Sequence, residues 1–520
     1  MGIGCLALMP LFSANPVSAQ PPEGSAPPPA SAAEQRVSAY LASLRDRPEA
    51  LREFFRALPK GGDLHHHLAG AAPTELLIKL AGQDGLCVDR ATMTAVAPPC
   101  GPGTRPAGDA RTDAAFRTAL TRAWSMEDFP PGRPGHDHFF AAFAKFGEVA
   151  WRHRGTLLAE VADELVAQHQ SYLETMVTPA SDEARKLAQD VGPGSDPARL
   201  HRRLLAGGKL DALVADAREE ADAADREFRT AARCESKRPA QGCALTVRWI
   251  SQVSRASTPQ HVFTQLALGM RLAERDSRFV AVNLVQPEDW GAALRDYRLH
   301  MRMLGYLHRV YPRAHITLHA GELAPGLVKP GELRSHVRQA VLVGHAERIG
   351  HGVDLLHEDG WQQLARTMAQ RRVAVEVPFT SNRQTLGVAG AGHPFGTYRR
   401  YGVPVVLATD NPGIARTDIS REYQYAARTY GLDYPELKDL ARASLEYAFL
   451  PGRSLWAGNP TLGGYRVTGA CRLDRPGDGQ PEVLCREFLK RNPKAALEWR
   501  QESAFAEFEE RIAHRAADGS

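Results

Sequence analysis

No stretch of this 520-residue chain is long and apolar enough to read as a bilayer-spanning helix; the apolar run at its start falls well short of the ~20 residues required. Neither sign of charge dominates. With 64 Lys and Arg against 60 Asp and Glu, and no basic tract, the chain offers nothing to attract nucleic acid or an anionic membrane. No Gly-x-Gly-x-x-Gly follows a candidate strand, so a dinucleotide-binding fold has no support. None of the seven cysteines forms a CxxC pair, which leaves no cysteine-based zinc site to expect. There is no internal repeat, and low complexity is confined to one linker.

What is present begins with an apolar run ending in Val17-Ser18-Ala19, a small-residue pattern suited to signal-peptidase cleavage before Gln20, although no positive n-region precedes it. The expectation is a signal peptide over 1–19, a Pro/Ala/Ser linker over 20–33 and an exported protein, periplasmic or extracellular. The six cysteines left after cleavage fall into three local pairs, Cys87 with Cys100, Cys234 with Cys243 and Cys471 with Cys485. An even, locally paired set suits an oxidising compartment, and reduced loop thiols are the alternative.

Residues 34–57 read as helical. Eight short aliphatic or β-branched runs then alternate with helical stretches: 61–67, 171–177, 244–253, 279–285, 314–320, 348–352, 372–378 and 403–409. Continuous apolar strands alternating with helices predict a parallel sheet covered on both faces, and eight such units favour an α/β fold of the (β/α)8 TIM-barrel type over an open sheet. The barrel is expected over 58–450, with an insertion at about 84–135 that reads as a disulfide-pinned loop and a C-terminal extension over 451–520. Phe139, Phe143 and Phe146 share one helical face, which reads as helix core or as an apolar lid.

In such a barrel, functional residues gather at the C-terminal ends of strands. Here those ends carry His65 and His67, His319, His351 and Asp410. Because alternate strand residues point the same way, His65 and His67 can face one ion while His66 faces away. Three imidazoles and a carboxylate suit Zn2+ with one position open for water.

With their neighbours these residues resemble the adenosine deaminase family: "LPKGGDLHHHLAGA", "LHAGEL", "ERIGHG" and "LATDNPGI" occur in that family's order, over about 55–450. The layout is most similar to its secreted, growth-factor-related branch. The resemblance implies one zinc per chain held by His65, His67, His319 and Asp410. It also implies Glu322 as proton donor, His351 orienting the attacking water, and Asp410 as both ligand and catalytic partner. The implied reaction is hydrolytic deamination of adenosine or 2′-deoxyadenosine to inosine or 2′-deoxyinosine, at the C–N bond of a cyclic amidine. A small purine nucleoside is then the only expected partner, and the oligomeric state, a homodimer included, is left open. The PCxxC signature of cytosine-type zinc deaminases is absent. So is a lysine after the fourth strand, where binuclear relatives place one.

Substrate contacts are expected from Gln286, Asn411 and Gly321, and here the family pattern is broken. Ala69 stands where an aspartate commonly meets the ribose 5′-hydroxyl, Gln286 where a glycine meets purine N3, and Asn411 where a second aspartate meets N7. Glu288 and Asp289 read as exposed carboxylates. Two alternatives follow: a deaminase of another aminopurine or modified nucleoside, and a secreted nucleoside- or receptor-binding protein whose catalysis has lapsed.

Overall fold

A computed structural model describes residues 30–518, so the signal-peptide reading lies outside the described residues. The eight apolar runs become eight strands: β1 (Gly61–His67), β2 (Gln170–Val177), β3 (Thr246–Ser254), β4 (Phe279–Val285), β5 (His315–Ala320), β6 (Arg348–His351), β7 (Ala374–Val377) and β8 (Val405–Leu407). Each pairs in parallel with the next in sequence. A parallel bridge between His66 and Asp410 joins the last strand region to the first. There, His67 N–H donates to Asp410 O at 2.8 Å and Asp410 N–H to His65 O at 2.9 Å. The arrangement is a (β/α)8 barrel, with β4 buried at every position between barrel interior and helices.

The barrel floor is closed by the segment after helix Tyr434–Glu446. Phe449 lies under the barrel with the Arg348 guanidinium 3.8 Å from its ring centre, and its N–H donates to Glu174 Oε1 at 2.6 Å. Helices Ala32–Ser43 and Pro493–Asp518 pack on each other and on helix Tyr434–Glu446, and Pro48–Ala57 packs on helix Ile419–Tyr430. Phe54 and Phe508 meet edge to face at 5.3 Å, and Lys438 bridges Glu34 at 3.0 Å and Glu509 at 2.8 Å. Each phenyl ring buried there contributes roughly 1.5–3 kcal/mol. Both ends of the described chain are therefore part of the barrel's support.

The stretch read as a disulfide-pinned loop is more ordered than that reading. It forms a three-stranded antiparallel sheet over Cys87–Asp89, Ala95–Val96 and Thr104–Pro106, followed by helices Ala114–Trp124 and His136–Ala150. All three local cysteine pairs are bonded. No described helix is long and apolar enough to cross a membrane.

Candidate metal centre and active-site cavity

At the C-terminal mouth, His65, His67, His319 and Asp410 offer ligand atoms that all lie within 4.8 Å of one another, and His319, Glu322 and His351 do the same. Room for this is made by glycine: a Cβ on Gly350 would stand 2.5 Å from His65 Cε1. The strand ends also bend. His351, Asp410 and Gln286 take φ of 68°, 61° and 77°, left-handed values that non-glycine residues adopt at a cost and that recur at functional sites. Gln286 keeps the backbone turn a glycine would make.

Each of the three histidines is fixed from behind through Nδ1. His65 meets Glu376 Oε2 at 2.6 Å, His67 meets Gln252 Oε1 at 3.1 Å, and His319 meets Asn283 Oδ1 at 2.9 Å. The Asn283 oxygen is identified by the His319 backbone N–H, which donates to the same atom at 2.9 Å. All three partners are acceptors, so the Nδ1 atoms carry the protons and the Nε2 lone pairs point forward. Those lone pairs converge: His67 Nε2 lies 3.2 Å from His319 Nε2 and 3.2 Å from Asp410 Oδ1, and His65 Nε2 lies 3.5 Å from the same oxygen. Lone pairs and a carboxylate this close repel unless a cation sits among them. His65 Nε2 is buried with no hydrogen-bond partner, as expected of a donor atom awaiting a metal. The donor set fits zinc.

Asp410 is held by Ser381, whose hydroxyl donates to Oδ2 at 2.7 Å, and by Asn411, whose Nδ2 donates to Oδ1 at 2.7 Å. His66 points to the other side of β1, with Nδ1 2.8 Å from Thr175 Oγ1, as strand alternation requires.

Glu322 is buried, and its N–H donates to Glu288 Oε2 at 2.9 Å. Burial, with Asp410 and Glu288 nearby, pushes its carboxyl up to about 8, so it carries a proton at neutral pH. Glu288 is a correction to the sequence reading, because it is fully buried. It receives Gly321 N–H at 3.2 Å and His336 Nδ1 at 2.5 Å, the latter delivered from a helix 48 residues further on. Asp289 is mostly covered as well, 3.1 Å from His136. Gly321 has φ 72° and packs against Asp354; it is not on the cavity wall.

His351 lies behind Glu322, with Nε2 3.8 Å from Glu322 Oε1. Burial lowers its pKa to about 4, so the ring is neutral. The Asn382 amide bridges His351 Nδ1, 2.7 Å from Oδ1, and His393 Nε2, 2.9 Å from Nδ2, two amide atoms that a half-turn of the side-chain end exchanges. Which amide atom faces which ring follows from the far end of the chain. Phe395 N–H donates to His393 Nδ1 at 3.1 Å, and burial keeps His393 neutral. His393 must therefore carry its proton on Nε2 and donate to the amide oxygen. That hydrogen-bond pattern requires the exchanged amide, with its NH2 toward His351 Nδ1, and His351 Nε2 then bears the ring proton.

Of these groups, His67, His319, Glu322 and Asp410 line a cavity of about 320 Å³. Gln286 and Asn411 line it. Of the aromatic helical face, Phe139 and Phe146 are core residues, while Phe143 joins Phe140 on the cavity wall. Sequence reasoning missed Glu376, Asn283, Gln252, Ser381 and Asn382. Glu376 alone gave a signal, as a carboxylate in the middle of the apolar run "VAVEV".

The family model described as adenosine deaminase matches residues 138–455, a span that begins after β1, so the placement of His65 and His67 rests on the geometry. Adenosine deaminase of Salmonella typhimurium is 39% identical over 137 residues, covering 26% of this chain and 38% of that enzyme, well under two thirds of its length. Aminodeoxyfutalosine deaminase of Streptomyces coelicolor is 26% identical over 457 residues, covering 84% of this chain and 93% of the enzyme. A crystal structure of Arabidopsis ADAL complexed with IMP matches with a TM-score of 0.50 at 21% identity, over 76% of this chain and 94% of that one, a likeness of fold alone.

Proposed function

The chain belongs to the adenosine deaminase family, and from that premise we propose that it is a zinc-dependent hydrolase converting adenosine or 2′-deoxyadenosine, with water, to inosine or 2′-deoxyinosine and ammonia. The observation that carries the reading is the convergence of three histidine lone pairs and Asp410 beside a protonated, buried Glu322.

His65, His67, His319 and Asp410 would hold one zinc ion. Bound there, zinc supplies Lewis acidity that brings the pKa of a water beside it to about 7. The remaining work belongs to the chain. Purine C6 is a weak electrophile until N1 gains a proton, and Glu322 is the acid that donates it. As the water oxygen bonds to C6, Asp410 accepts a hydrogen bond from that water, and the His351 Nε2–H donates to the oxygen where negative charge gathers. A proton then passes to the 6-amino group, the C6–N bond breaks and ammonia leaves. Asn411 has a second amide N–H available for N7, and Gln286 sits where the family meets N3.

A second reading is deamination of a different 6-aminopurine nucleoside. It is supported by the likeness to aminodeoxyfutalosine deaminase over 84% of this chain and by the altered residues Ala69, Gln286 and Asn411. The three disulfides support the proposal that the protein is exported to an oxidising compartment.

The test is the ultraviolet change when zinc-analysed protein meets adenosine or 2′-deoxyadenosine, with Glu322→Gln as control. The wild type should convert them, and the variant should keep its zinc while losing roughly 10²–10⁴-fold in rate. A variant as fast as wild type removes Glu322 as the acid. A zinc-loaded wild type inert to both nucleosides, but active on another aminopurine, selects the second reading.

A further inference from the structure

We propose that His336 is a positioning residue for the proton donor: through Glu288 it fixes the backbone of Glu322, and with it the direction of the acid. The inference rests on the deaminase reading of the same site and adds to it a residue that does not line the cavity.

The Glu322 carboxyl has no lateral support of its own. Among the described residues only its backbone N–H is hydrogen-bonded, to Glu288, while His351 Nε2 stands off from the carboxyl at 3.8 Å. The aim of the acid is therefore set by the peptide from which it springs. That peptide is held from both faces. Glu288 receives the Gly321 N–H at Oε1 at 3.2 Å and the Glu322 N–H at Oε2 at 2.9 Å, one carboxylate oxygen for each of two consecutive amides. On the opposite face, Gly321 O accepts from Val353 N–H at 2.8 Å and from Asp354 N–H at 3.2 Å. Gly321 makes the turn at φ 72°, and a Cβ there would stand 2.3 Å from Asp354 Oδ1.

Glu288 is set in turn by His336, the only side chain that hydrogen-bonds to it among the described residues. His336 Nδ1 donates to Glu288 Oε1 at 2.5 Å. Arg255 stands further off, with Nη1 3.9 Å from Oε2, because its Nη2 is spent on the Leu284 and His319 carbonyls at 2.7 and 2.9 Å. Burial opposes the charge on Glu288, but His336 and Arg255 outweigh it and hold the carboxyl below its ordinary 4.5, so both oxygens stay acceptors.

His336 is itself anchored twice by Tyr297. The two rings stack at 3.8 Å and 11°, and the Tyr297 hydroxyl donates to His336 O at 2.8 Å. Tyr297 lies in helix Gly291–Val310 and His336 opens helix His336–Leu342, so two helices outside the barrel wall reach the acid through one carboxylate. A hydrogen bond to an ionised acceptor is among the stronger ones. A proton donor has to lie within hydrogen-bond reach of the atom it protonates, and a displacement of roughly 1 Å can cost about 100-fold in rate.

The experiment measures kcat, KM and bound zinc for the zinc-loaded full chain and its variants, well below their unfolding temperatures, with the 6-aminopurine nucleoside that the wild type turns over fastest. His336→Leu keeps the bulk and removes the donor. Its kcat should fall by up to about 100-fold, while KM and zinc content stay at wild-type values. His336→Asn, whose amide N–H can stand where Nδ1 stands, should recover most of that loss. Glu288→Gln should fall at least as far as His336→Leu, and adding His336→Leu to it should cost little more, because both act through one contact. If His336→Leu does not fold, His336→Gln replaces it with the same expected loss, its amide N–H reaching the position of Nε2 instead. Wild-type kcat in the donor-free variant overturns the inference while leaving the deaminase reading intact, and so does a loss confined to KM or to zinc. A deficit as large in His336→Asn overturns it too, since the donated hydrogen bond would then not be what matters. Zinc-loaded wild type inert to every 6-aminopurine nucleoside defeats the deaminase reading itself.

Discussion

His65 Nδ1 and Glu376 Oε2 meet at 2.6 Å with both side chains fully buried, and the same carboxylate pairs through its other oxygen with Arg348. Burial opposes the charge on Glu376, but Arg348 and His65 outweigh it and hold the carboxyl at about 2. An ionised Glu376 accepts a hydrogen bond from the His65 Nδ1–H and turns the Nε2 lone pair toward the cluster. Thr317 donates to Glu376 Oε1 at 2.8 Å and completes its partners.

Glu376→Ala should accordingly weaken zinc binding by about 10–100-fold, the usual cost of removing the group behind a ligating histidine. Chelator competition reads this directly. Unchanged zinc affinity would show that His65 is oriented by packing alone.

His66 and His67 are neighbours with opposite expected roles. His67→Ala should lower the zinc content of purified protein, whereas His66→Ala should leave it at the wild-type stoichiometry and cost stability of roughly 1–3 kcal/mol through the lost Thr175 contact. Elemental analysis with a denaturant titration separates the two, and zinc loss in His66→Ala would contradict the strand register.

Asn382, with its amide NH2 toward Nδ1, sets the His351 tautomer. Asn382→Asp replaces a donor with an acceptor, draws the His351 proton to Nδ1 and leaves a lone pair where the N–H stood. The expected result is a fall in kcat of roughly 10–100-fold at unchanged zinc content. A rate within experimental error of wild type would mean that His351 works in either tautomer.

Glu422 supplies a pH-dependent prediction away from the metal. Burial raises its carboxyl from 4.5 to about 7, although Thr380 and Thr417 donate to it. A folded pKa above the unfolded one means that this residue's contribution is fully present below pH 4.5 and is lost as pH rises through about 7. Glu422→Gln, uncharged at every pH, should match wild type near pH 4.5 and become more stable by up to about 3 kcal/mol above pH 8. Denaturant unfolding at both pH values decides it, and a constant difference between the two proteins would refute the burial argument.

The architecture was legible because a parallel strand buried on both faces reads as a continuous apolar run, and all eight such runs proved to be strands. The residues at the cluster were legible because His and Asp at successive strand ends form a pattern. Their supports were not. Asn283 and Gln252 are single amides inside strands, with nothing in their neighbourhood to distinguish a histidine's partner from a surface residue. Glu288 read as exposed because its cover, His336, arrives from a distant helix. The Phe139, Phe143, Phe146 stripe followed helical periodicity correctly, yet the helix lies between core and cavity, and the aromatic wall begins at Phe140 on the adjoining face.

The closing bridge between His66 and Asp410 has a bearing on how the molecule is made. Beside it, Asp63 Oδ2 accepts from the Thr409 hydroxyl at 2.6 Å, across 346 residues of chain. The two ends of this join are therefore synthesised far apart in time. A nascent chain displays His65 and His67 early; on the proposed ligand set they are half a coordination shell, joined later by His319 and completed only when Asp410 arrives. Metal capture by that proposed set would thus be tied to the last stitch of the ring, and a chain cut short before it would lack the fourth ligand.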